Sequence, residues 1–157
     1  MITVKFDPSR INARLQGVDR AVKETVREAA QAGAQVYYDE VHARVPVSAE
    51  AHIFTSRRSK GGAVGQKYLY YPGDLKRAIY QKYADDHSTA TRAVYRLSWR
   101  KGRAGGPNGV PYGYMVEYGT SRMAPRPFLR PSYAAAHQQA VQVARDTLLL
   151  AVSKALA

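Results

Sequence analysis

The sequence that decides the fold lies at residues 112–132, between a glycine-rich segment and the last apolar stretch of the chain. It reads Tyr112-Gly-Tyr-Met-Val-Glu-Tyr-Gly-Thr-Ser-Arg-Met-Ala-Pro-Arg-Pro-Phe-Leu-Arg-Pro-Ser132. If its first half is helical, four side chains form one apolar face, namely Tyr112, Met115, Val116 and Tyr118. Gly119 then allows the left-handed turn that ends the helix, and Thr120 or Ser121 can bond the freed backbone. This half predicts a packed corner.

The second half predicts a stiff link that leads into a helix. Three prolines lower the entropy of this link in the unfolded chain: Pro125, Pro127 and Pro131. Phe128 and Leu129 are expected to anchor the link to the core, and Pro131 suits the first turn of the closing helix. Arg126 and Arg130 are then expected to project near the start of that helix. The whole stretch also admits a purely structural interpretation, in which it only stabilises the fold.

Long helices are predicted on both sides of the central part of the chain. Apolar residues recur every three or four positions over about 17–45, with charged residues between them, which predicts an amphipathic helix. Pro46 ends it, because proline disfavours helical geometry in the preceding residue and has no amide to continue the ladder. A second helix is predicted over about 132–156, with a buried stripe that includes Ala136, Val143, Leu148 and Val152.

The centre of the chain predicts two antiparallel strands within about 78–100. The first covers Ile79 to Tyr83 and leads into the polar turn Asp85-Asp86-His87-Ser88. From Thr91 to Arg100 the residues alternate, and one face carries Ala93, Tyr95, Leu97 and Trp99. The other face is basic. That face is either simply solvated or turned toward a partner.

The segment at about 48–73 mixes serine, glycine and basic residues, and we interpret it as a long loop or extended arm. Together these elements predict a single α+β domain over residues 1–157. In it, a long N-terminal helix and a C-terminal helix pack on a small antiparallel β-sheet, and the long basic arm extends from it. A parallel sheet is disfavoured because the order of elements lacks βαβ alternation.

Composition limits the chemistry. A chain of 157 residues with 45% apolar content suits one domain of ordinary size. The absence of cysteine excludes disulfides, thiolate zinc sites and thiol nucleophiles, and with four histidines no metal or other cofactor is expected. No apolar run is long enough to cross a membrane, and the first residues lack the apolar core of a secretory signal. The protein is expected to be soluble and cytosolic when it is made.

The charge is strongly positive and unevenly distributed. The formal net charge is +12 and the isoelectric point is about 10.1. Residues 51–110 hold twelve Lys or Arg against three Asp, a net charge of +9. This balance indicates either a polyanionic partner, such as nucleic acid or an acidic protein surface, or a solvated basic surface.

Residues 112–132 resemble a signature of the tail-completion family of long-tailed phages, the group related to lambda minor tail protein Z. That family typically shows Tyr-x-x-x-Val-Glu-x-Gly-Thr, a short polar link, and Pro-x-Pro-Phe-Leu-Arg-Pro before the last helix. The matching residues here are Tyr114, Val116, Glu117, Gly119, Thr120, Pro125, Pro127, Phe128, Leu129, Arg130 and Pro131. Val45-Pro46-Val47 and the run from Gly73 to Ile79 also resemble the family's layout. The segment between Val47 and Gly73 is longer than the family pattern.

The resemblance implies a non-catalytic virion protein that joins the tail to the head. Such a subunit assembles as a homo-oligomeric ring, for which six copies is the natural expectation, at the head-proximal end of the tail. Its implied partners are other copies of itself, the tail terminator or tail tube protein, the head–tail connector or neck proteins, and the phage genome DNA in the channel. No membrane partner is implied. The implied location is the virion tail or neck, with the host cytoplasm as the place of assembly.

Glu117 and the basic residues have alternative interpretations. Glu117 pairs with Arg122, Arg126 or Arg130 either within one chain or across a ring interface. The candidates for an interface or for facing DNA are Arg57, Arg58, Lys60, Lys67, Arg92, Arg96, Arg100, Lys101 and Arg103. With Tyr68, Tyr70 and Trp99 nearby, the same residues suit a nucleic-acid-binding protein outside the virion, although Trp99 lies on the apolar face of its strand.

An enzyme is disfavoured by the sequence. No nucleophile, base and metal-ligand cluster occurs at a recognisable spacing, so no catalytic residue is predicted. Asp85-Asp86-His87 is the best candidate for a catalytic cluster, but its position between two strands favours a polar turn.

Overall fold

The computed structural model describes residues 8–55, 65, 67–101 and 109–156. The chain is α+β, as the sequence predicts, and the described residues form two long helices and two small antiparallel sheets, besides shorter helical segments. In chain order the elements are α1 (Ser9–Arg44), β1 (His52–Thr55), β2 (Lys67–Tyr70), α2 (Asp74–Ala78), β3 (Ile79–Tyr83), a 3₁₀ turn (Asp85–His87), β4 (Tyr95–Trp99), α3 (Gly113–Tyr118) and α4 (Leu129–Leu156).

The two long helices pack side by side and run in opposite directions. Gly17 of α1 lies near Ala155 of α4, and Gly33 of α1 lies near Ala140. Small residues line the closest approach, and the buried ones are Ala29, Gly33, Ala136 and Ala140. At Gly33 a Cβ atom would lie only 2.9 Å from the Ala140 carbonyl oxygen, so the backbones are in near contact there. The helix pair therefore depends on the absence of side chains at this crossing.

Gly33→Ala is expected to lower the free energy of unfolding by about 1–2 kcal/mol, because overpacking against a backbone carbonyl outweighs the helix propensity gained. Gly17→Ala is the matched control on the same helix. A Cβ there would lie 3.8 Å from the nearest carbonyl, an ordinary contact. It should raise the free energy of unfolding by about 0.5–1 kcal/mol. Urea unfolding of both variants measures the two changes in the free energy of unfolding. If both variants changed stability in the same direction, this description of the crossing would be contradicted.

The two sheets are separate hairpins. Strand β1 pairs with β2 from His52 opposite Tyr70 to Thr55 opposite Lys67. Strand β3 pairs with β4 from Ile79 opposite Trp99 to Tyr83 opposite Tyr95. The main core lies between these hairpins, the end of α1 and the start of α4, and its buried residues are Val41, Val45, Tyr70, Leu75, Ala78, Ile79, Trp99, Val110 and Phe128.

Both long helices begin earlier than the sequence predicts. Helix α1 begins at Ser9 rather than near residue 17, because nothing after Pro8 interrupts helical geometry and Ile11 and Leu15 continue the apolar stripe, although both are exposed. It ends at Arg44, as Pro46 predicts. Helix α4 begins at Leu129 rather than near residue 132, and Pro131 lies in its first turn, as predicted.

The interpretation of residues 48–73 as a loop is wrong at both ends of the segment. His52–Thr55 and Lys67–Tyr70 pair as a hairpin, and one face of that hairpin packs on the core through Phe54 and Tyr70. The central part of the arm, 56–64 and 66, lies outside the described residues. The second predicted strand is shorter than Thr91 to Arg100, because a tight turn occupies residues 89–92 and β4 begins at Tyr95.

Candidate interaction surfaces

The signature at residues 112–132 folds into one corner, which we call the motif corner. Helix α3 lies on the core, Gly119 ends it, and the proline-rich link returns to the start of α4. The backbone N–H of Arg126 donates to the Val116 carbonyl at 2.8 Å, which ties the link to α3. The two halves of the signature are therefore neighbours in space as well as in sequence.

Glu117 joins those two halves. Its side chain is 1% exposed. Oε2 accepts hydrogen bonds from the backbone N–H groups of Phe128 and Leu129 at 2.7 and 3.0 Å. Oε1 accepts from the backbone N–H and the Nε of Arg130, both at 3.3 Å. Glu117 thus satisfies the free N–H groups at the start of α4, where a helix favours negative charge.

The Glu117 carboxylate is stabilised in its charged form. Burial raises its pKa, but the hydrogen bonds from Phe128, Leu129 and Arg130 lower it further, and the net effect is a pKa below the ordinary value. The Arg130 partner lies within the same chain. Because Glu117 is buried, the alternative of a salt bridge across a ring interface does not fit its position.

Gly119 sits in a backbone geometry that other residues avoid. Its φ is 76° and its ψ is −179°. A Cβ there would lie 2.9 Å from the Met123 carbonyl oxygen and from the Pro125 nitrogen. The next residue closes the turn, since Thr120 Oγ1 accepts from the Arg122 N–H at 3.2 Å. Gly119 ends α3 with a positive φ, as predicted, but its ψ is extended, so the turn is not the predicted left-handed one. Thr120 bonds the backbone of the following link at Arg122, whereas the prediction had it bond the backbone freed at the helix end.

Gly119→Ala is expected to lower the free energy of unfolding by about 2 kcal/mol, because this backbone region is open essentially to glycine alone. Gly73→Ala is the matched control. Gly73 also has a positive φ, 82°, but its ψ is −1° and a Cβ would meet only the flexible end of Arg77 at 3.3 Å. Its expected effect is about 1 kcal/mol. Thermal unfolding compares the two, and a larger loss for the control would contradict the steric argument.

The exposed side of the motif corner differs from the sequence prediction. Of the four residues predicted to form a buried apolar face, only Tyr112 and Val116 pack against the core. Tyr118 and Met115 are 51% and 38% exposed, because α3 instead directs Gly113 and Glu117 inward. Helix α3 and the link after it therefore present an apolar surface to solvent, formed by Tyr114, Met115 and Tyr118 of the helix and Met123 of the link.

The aromatic residues of this surface contact neighbouring side chains. The rings of Tyr114 and Tyr118 lie 4.7 Å apart, and the Arg130 guanidinium lies 4.9 Å from the Tyr118 ring centroid. Next to them, Tyr37 of α1 stacks on Tyr133 of α4 at 5.3 Å. A cleft of about 510 Å³ is lined by Tyr118, Tyr37 and Tyr133 together with apolar residues such as Leu97 and Leu129.

A second cleft lies on the other side of α3. It has a volume of about 490 Å³ and is lined mainly by apolar and aromatic side chains, among them Phe54, Tyr71, Tyr112, Met115 and Met123. Burial raises the pKa of Tyr112 to about 12, so its hydroxyl stays protonated. Helix α3 thus forms a ridge between two concave surfaces.

The remaining motif residues divide between burial and exposure. Phe128 is fully buried and packs on Trp99 with ring centroids 6.0 Å apart, which confirms it as an anchor. Leu129 and Pro131 are half-buried, whereas Pro125, Pro127 and Arg130 are exposed.

The structure places the basic residues predicted to face a partner or DNA on different elements. Arg96 and Arg100 lie on the outer face of β4 and its continuation, with Lys101 beside them, and all three are exposed. Arg92 is exposed in the turn before β4, and Lys67 is exposed at the start of β2 in the other hairpin. Arg57, Arg58, Lys60 and Arg103 lie outside the described residues.

One basic residue of this face was missed in the sequence. Lys82 of β3 lies directly opposite Arg96 of β4. Its charge was a signal for its exposure, but only the register of the hairpin brings it next to Arg96. Trp99 is 6% exposed, so it belongs to the core, as its alternation pattern favours.

The polar turn Asp85-Asp86-His87 forms a 3₁₀ turn, and Asp86 contacts both His87 at 3.2 Å and Arg96 at 3.1 Å. The pKa of Asp86 lies below its ordinary value, since the Arg96 and His87 contacts outweigh the opposing effect of desolvation. In the described ranges, no group of three or more histidine or acidic side chains is placed to hold a metal ion. No helix in the described part of the chain has both the length and the hydrophobicity needed to cross a membrane.

No protein-family model, curated protein or solved structure matches this chain.

Proposed function

We propose that this chain is a structural, non-catalytic virion protein of a long-tailed phage that completes the tail and joins it to the head. Its copies form a ring, with six as the natural number, at the head-proximal end of the tail. The neighbours of this ring are the tail terminator or tail tube protein on one side and the head–tail connector on the other. The signature at residues 112–132 is the sequence feature that suggests this role.

The observation that carries the proposal is that the buried and the exposed residues of the motif corner have different roles. Its buried members, Glu117 and Phe128, account for folding through hydrogen bonds and packing. Its exposed members include Tyr114 at 59% and Tyr118 at 51%, and these side chains are not needed to close the core. An exposed aromatic surface beside concave apolar clefts has the composition of a protein–protein contact. We assign it to contact between neighbouring subunits of the ring.

The test is electron microscopy of lysates from a phage or prophage in which this gene is disrupted. Full heads and complete tails should accumulate unjoined, or joined without infectivity, and the wild-type gene supplied in trans should restore particles. Normal infectious particles in lysates that lack the functional gene would refute the proposal.

A variant pair localises the contact. Tyr114→Ser with Tyr118→Ser should fail to restore joining, because it removes the exposed aromatic surface while leaving the core residues unchanged. The matched control is Leu149→Ser with Leu150→Ser, which removes two apolar side chains of comparable exposure from α4. Equal failure of both pairs would show that loss of apolar surface in general, rather than the motif corner, is responsible.

The alternative is a nucleic-acid-binding protein that acts outside the virion. The juxtaposition of Lys82 and Arg96 on one strand face favours it. The same lysates distinguish the two functions, since a protein acting outside the virion leaves the joining of heads to tails intact.

A further inference from the structure

The outer face of the β3–β4 hairpin forms a polar groove of about 680 Å³. The register places Tyr80 opposite Ser98 and Lys82 opposite Arg96. Residues directly opposite each other in an antiparallel pair share a face, so these four side chains lie on the side away from Leu97 and Trp99. The groove is lined by Tyr80, Lys82, Ser98, Arg100 and Lys101, among others, and Arg96 lies beside it, opposite Lys82. We call these six residues together the strand groove.

Just beyond the end of β4, backbone hydrogen bonds hold the part of the groove that contains Arg100. The N–H of Arg100 donates to the Ala78 carbonyl at 2.9 Å, and the carbonyl of Arg100 accepts from the Val110 N–H at 2.8 Å. Arg100 is therefore held by hydrogen bonds on both sides. Its side chain continues the row that begins with Arg96 and Ser98.

The charges of the groove are not balanced within the described part of the chain. Lys82 and Arg96 lie directly opposite one another, an arrangement that destabilises a sheet. Asp86 contacts Arg96 at 3.1 Å, but both side chains are more than half exposed, so this ion pair contributes little. Lys82, Arg100 and Lys101 have no carboxylate partner among the described residues. An anion bound between these side chains would relieve the repulsion.

We propose that the strand groove binds the phosphate backbone of duplex DNA without reading its sequence. The cations match the charge of phosphates, and the hydroxyls of Tyr80 and Ser98 are groups that donate hydrogen bonds to phosphate oxygens. Base stacking needs exposed aromatic rings, but Trp99 is 6% exposed, with the Lys101 ammonium 5.8 Å from its ring centroid, and Tyr80, the other aromatic residue of the strand groove, is half-buried. The groove therefore suits a backbone whose bases are already paired, rather than a single strand.

This inference does not rest on the ring. Binding by the isolated protein tests the groove, and the joining of heads to tails tests the proposed function. DNA binding by the groove can be refuted without refuting the role in joining heads to tails, and the reverse is also true.

The experiment measures binding of a short fluorescein-labelled duplex DNA of mixed sequence by fluorescence anisotropy over a series of salt concentrations. The test variant is Lys82→Gln, Arg100→Gln and Lys101→Gln. The matched control is Arg10→Gln, Arg14→Gln and Arg20→Gln on α1, which removes the same charge from three exposed residues elsewhere. Circular dichroism checks that all variants remain folded. A charge-preserving variant, Lys82→Arg, Arg100→Lys and Lys101→Arg, is the rescue.

In the wild type, the dissociation constant should rise steeply with salt. The test variant should lose about 2.7 units of the slope of log affinity against log salt, at about 0.9 per phosphate contact. The α1 control should keep the wild-type slope, and the rescue variant should restore it. The corresponding single strand should bind the wild type more weakly than the duplex.

Four results would overturn the proposal. The first is the absence of duplex binding by the wild type at low salt. The second is an equal loss of slope in the α1 control, which would mean that net charge alone controls binding. The third is tighter binding of the single strand. The last is equally tight competition by poly-glutamate at matched charge, which would assign the groove to an acidic protein surface.

Discussion

Glu117→Ala is expected to lower the free energy of unfolding by about 4 kcal/mol, one of the largest single effects in this protein. The substitution removes the acceptor of the Phe128, Leu129 and Arg130 N–H groups. Hydrogen bonds to a charged group contribute about 1.5–3 kcal/mol each, and a buried donor without an acceptor carries a further penalty. Urea unfolding followed by circular dichroism measures the change.

Two further variants separate the contributions to this effect. Glu117→Gln keeps one acceptor oxygen and nearly the same volume, so its expected loss is about 2 kcal/mol. Glu24→Ala removes an exposed acid of α1 and should change stability by less than about 0.5 kcal/mol. If Glu117→Ala and Glu24→Ala were alike, the carboxylate would not stabilise the start of α4.

The lowered pKa of Glu117 also gives this stabilisation a pH dependence. A carboxyl whose pKa is lower in the folded than in the unfolded state stabilises the fold at pH values above its unfolded pKa, about 4.3 for glutamate. The contribution decreases as the pH falls below that value and is lost once the pH passes the lower folded pKa. The stability difference between the wild type and Glu117→Gln should therefore be constant near neutral pH and shrink in acid. A difference that grows in acid would contradict the assigned direction.

Gly113→Ala is expected to lower the free energy of unfolding by about 3 kcal/mol, at the upper end of the usual range for overpacking a core. A Cβ at residue 113 would lie 2.5 Å from Nε1 of Trp99 and 2.7 Å from Cε2. Trp99 is buried and packs on Phe128, so the indole cannot move away without disturbing the core. Because Trp99 is the single tryptophan, its fluorescence reports both the unfolding transition and any shift of the ring.

A double-mutant cycle tests the cause. Trp99→Phe removes the indole atoms that the new Cβ would meet, so Gly113→Ala should cost much less in that background than in the wild type. The difference between the two costs is the coupling energy of the contact. Equal costs in both backgrounds would show that the effect of the alanine arises elsewhere in α3.

Local signals in the sequence accounted for most of the elements. Pro46 correctly predicted the end of α1, the alternation around Leu97 and Trp99 predicted the buried face of β4, and Gly119 predicted the end of α3. In each case the deciding property belongs to one residue or to its near neighbours along the chain. Backbone geometry of this kind can be inferred without knowing what lies nearby in space.

The β1–β2 hairpin and the face of α3 were mispredicted because they depend on distant partners. Four-residue strands separated by a glycine-rich, basic segment give a weak local signal, and their pairing is stabilised by packing of Phe54 and Tyr70 on the core. On α3, hydrophobicity favoured Tyr118 as the buried residue. The structure buries Glu117 instead, because the N–H groups that it satisfies come from Phe128 and Leu129, eleven and twelve residues further on.

The sequence by itself determined the α+β class, the helix and strand endings set by proline and glycine, and the excess of positive charge. Only the tertiary structure decided which of the described basic residues lie together, since the register of β3 and β4 places Lys82 opposite Arg96. It also decided which part of residues 112–132 is buried and which is exposed. The physical reason is that burial and charge pairing are set by the neighbours that the folded chain brings together, and those neighbours lie too far apart in the sequence for periodicity to reveal them.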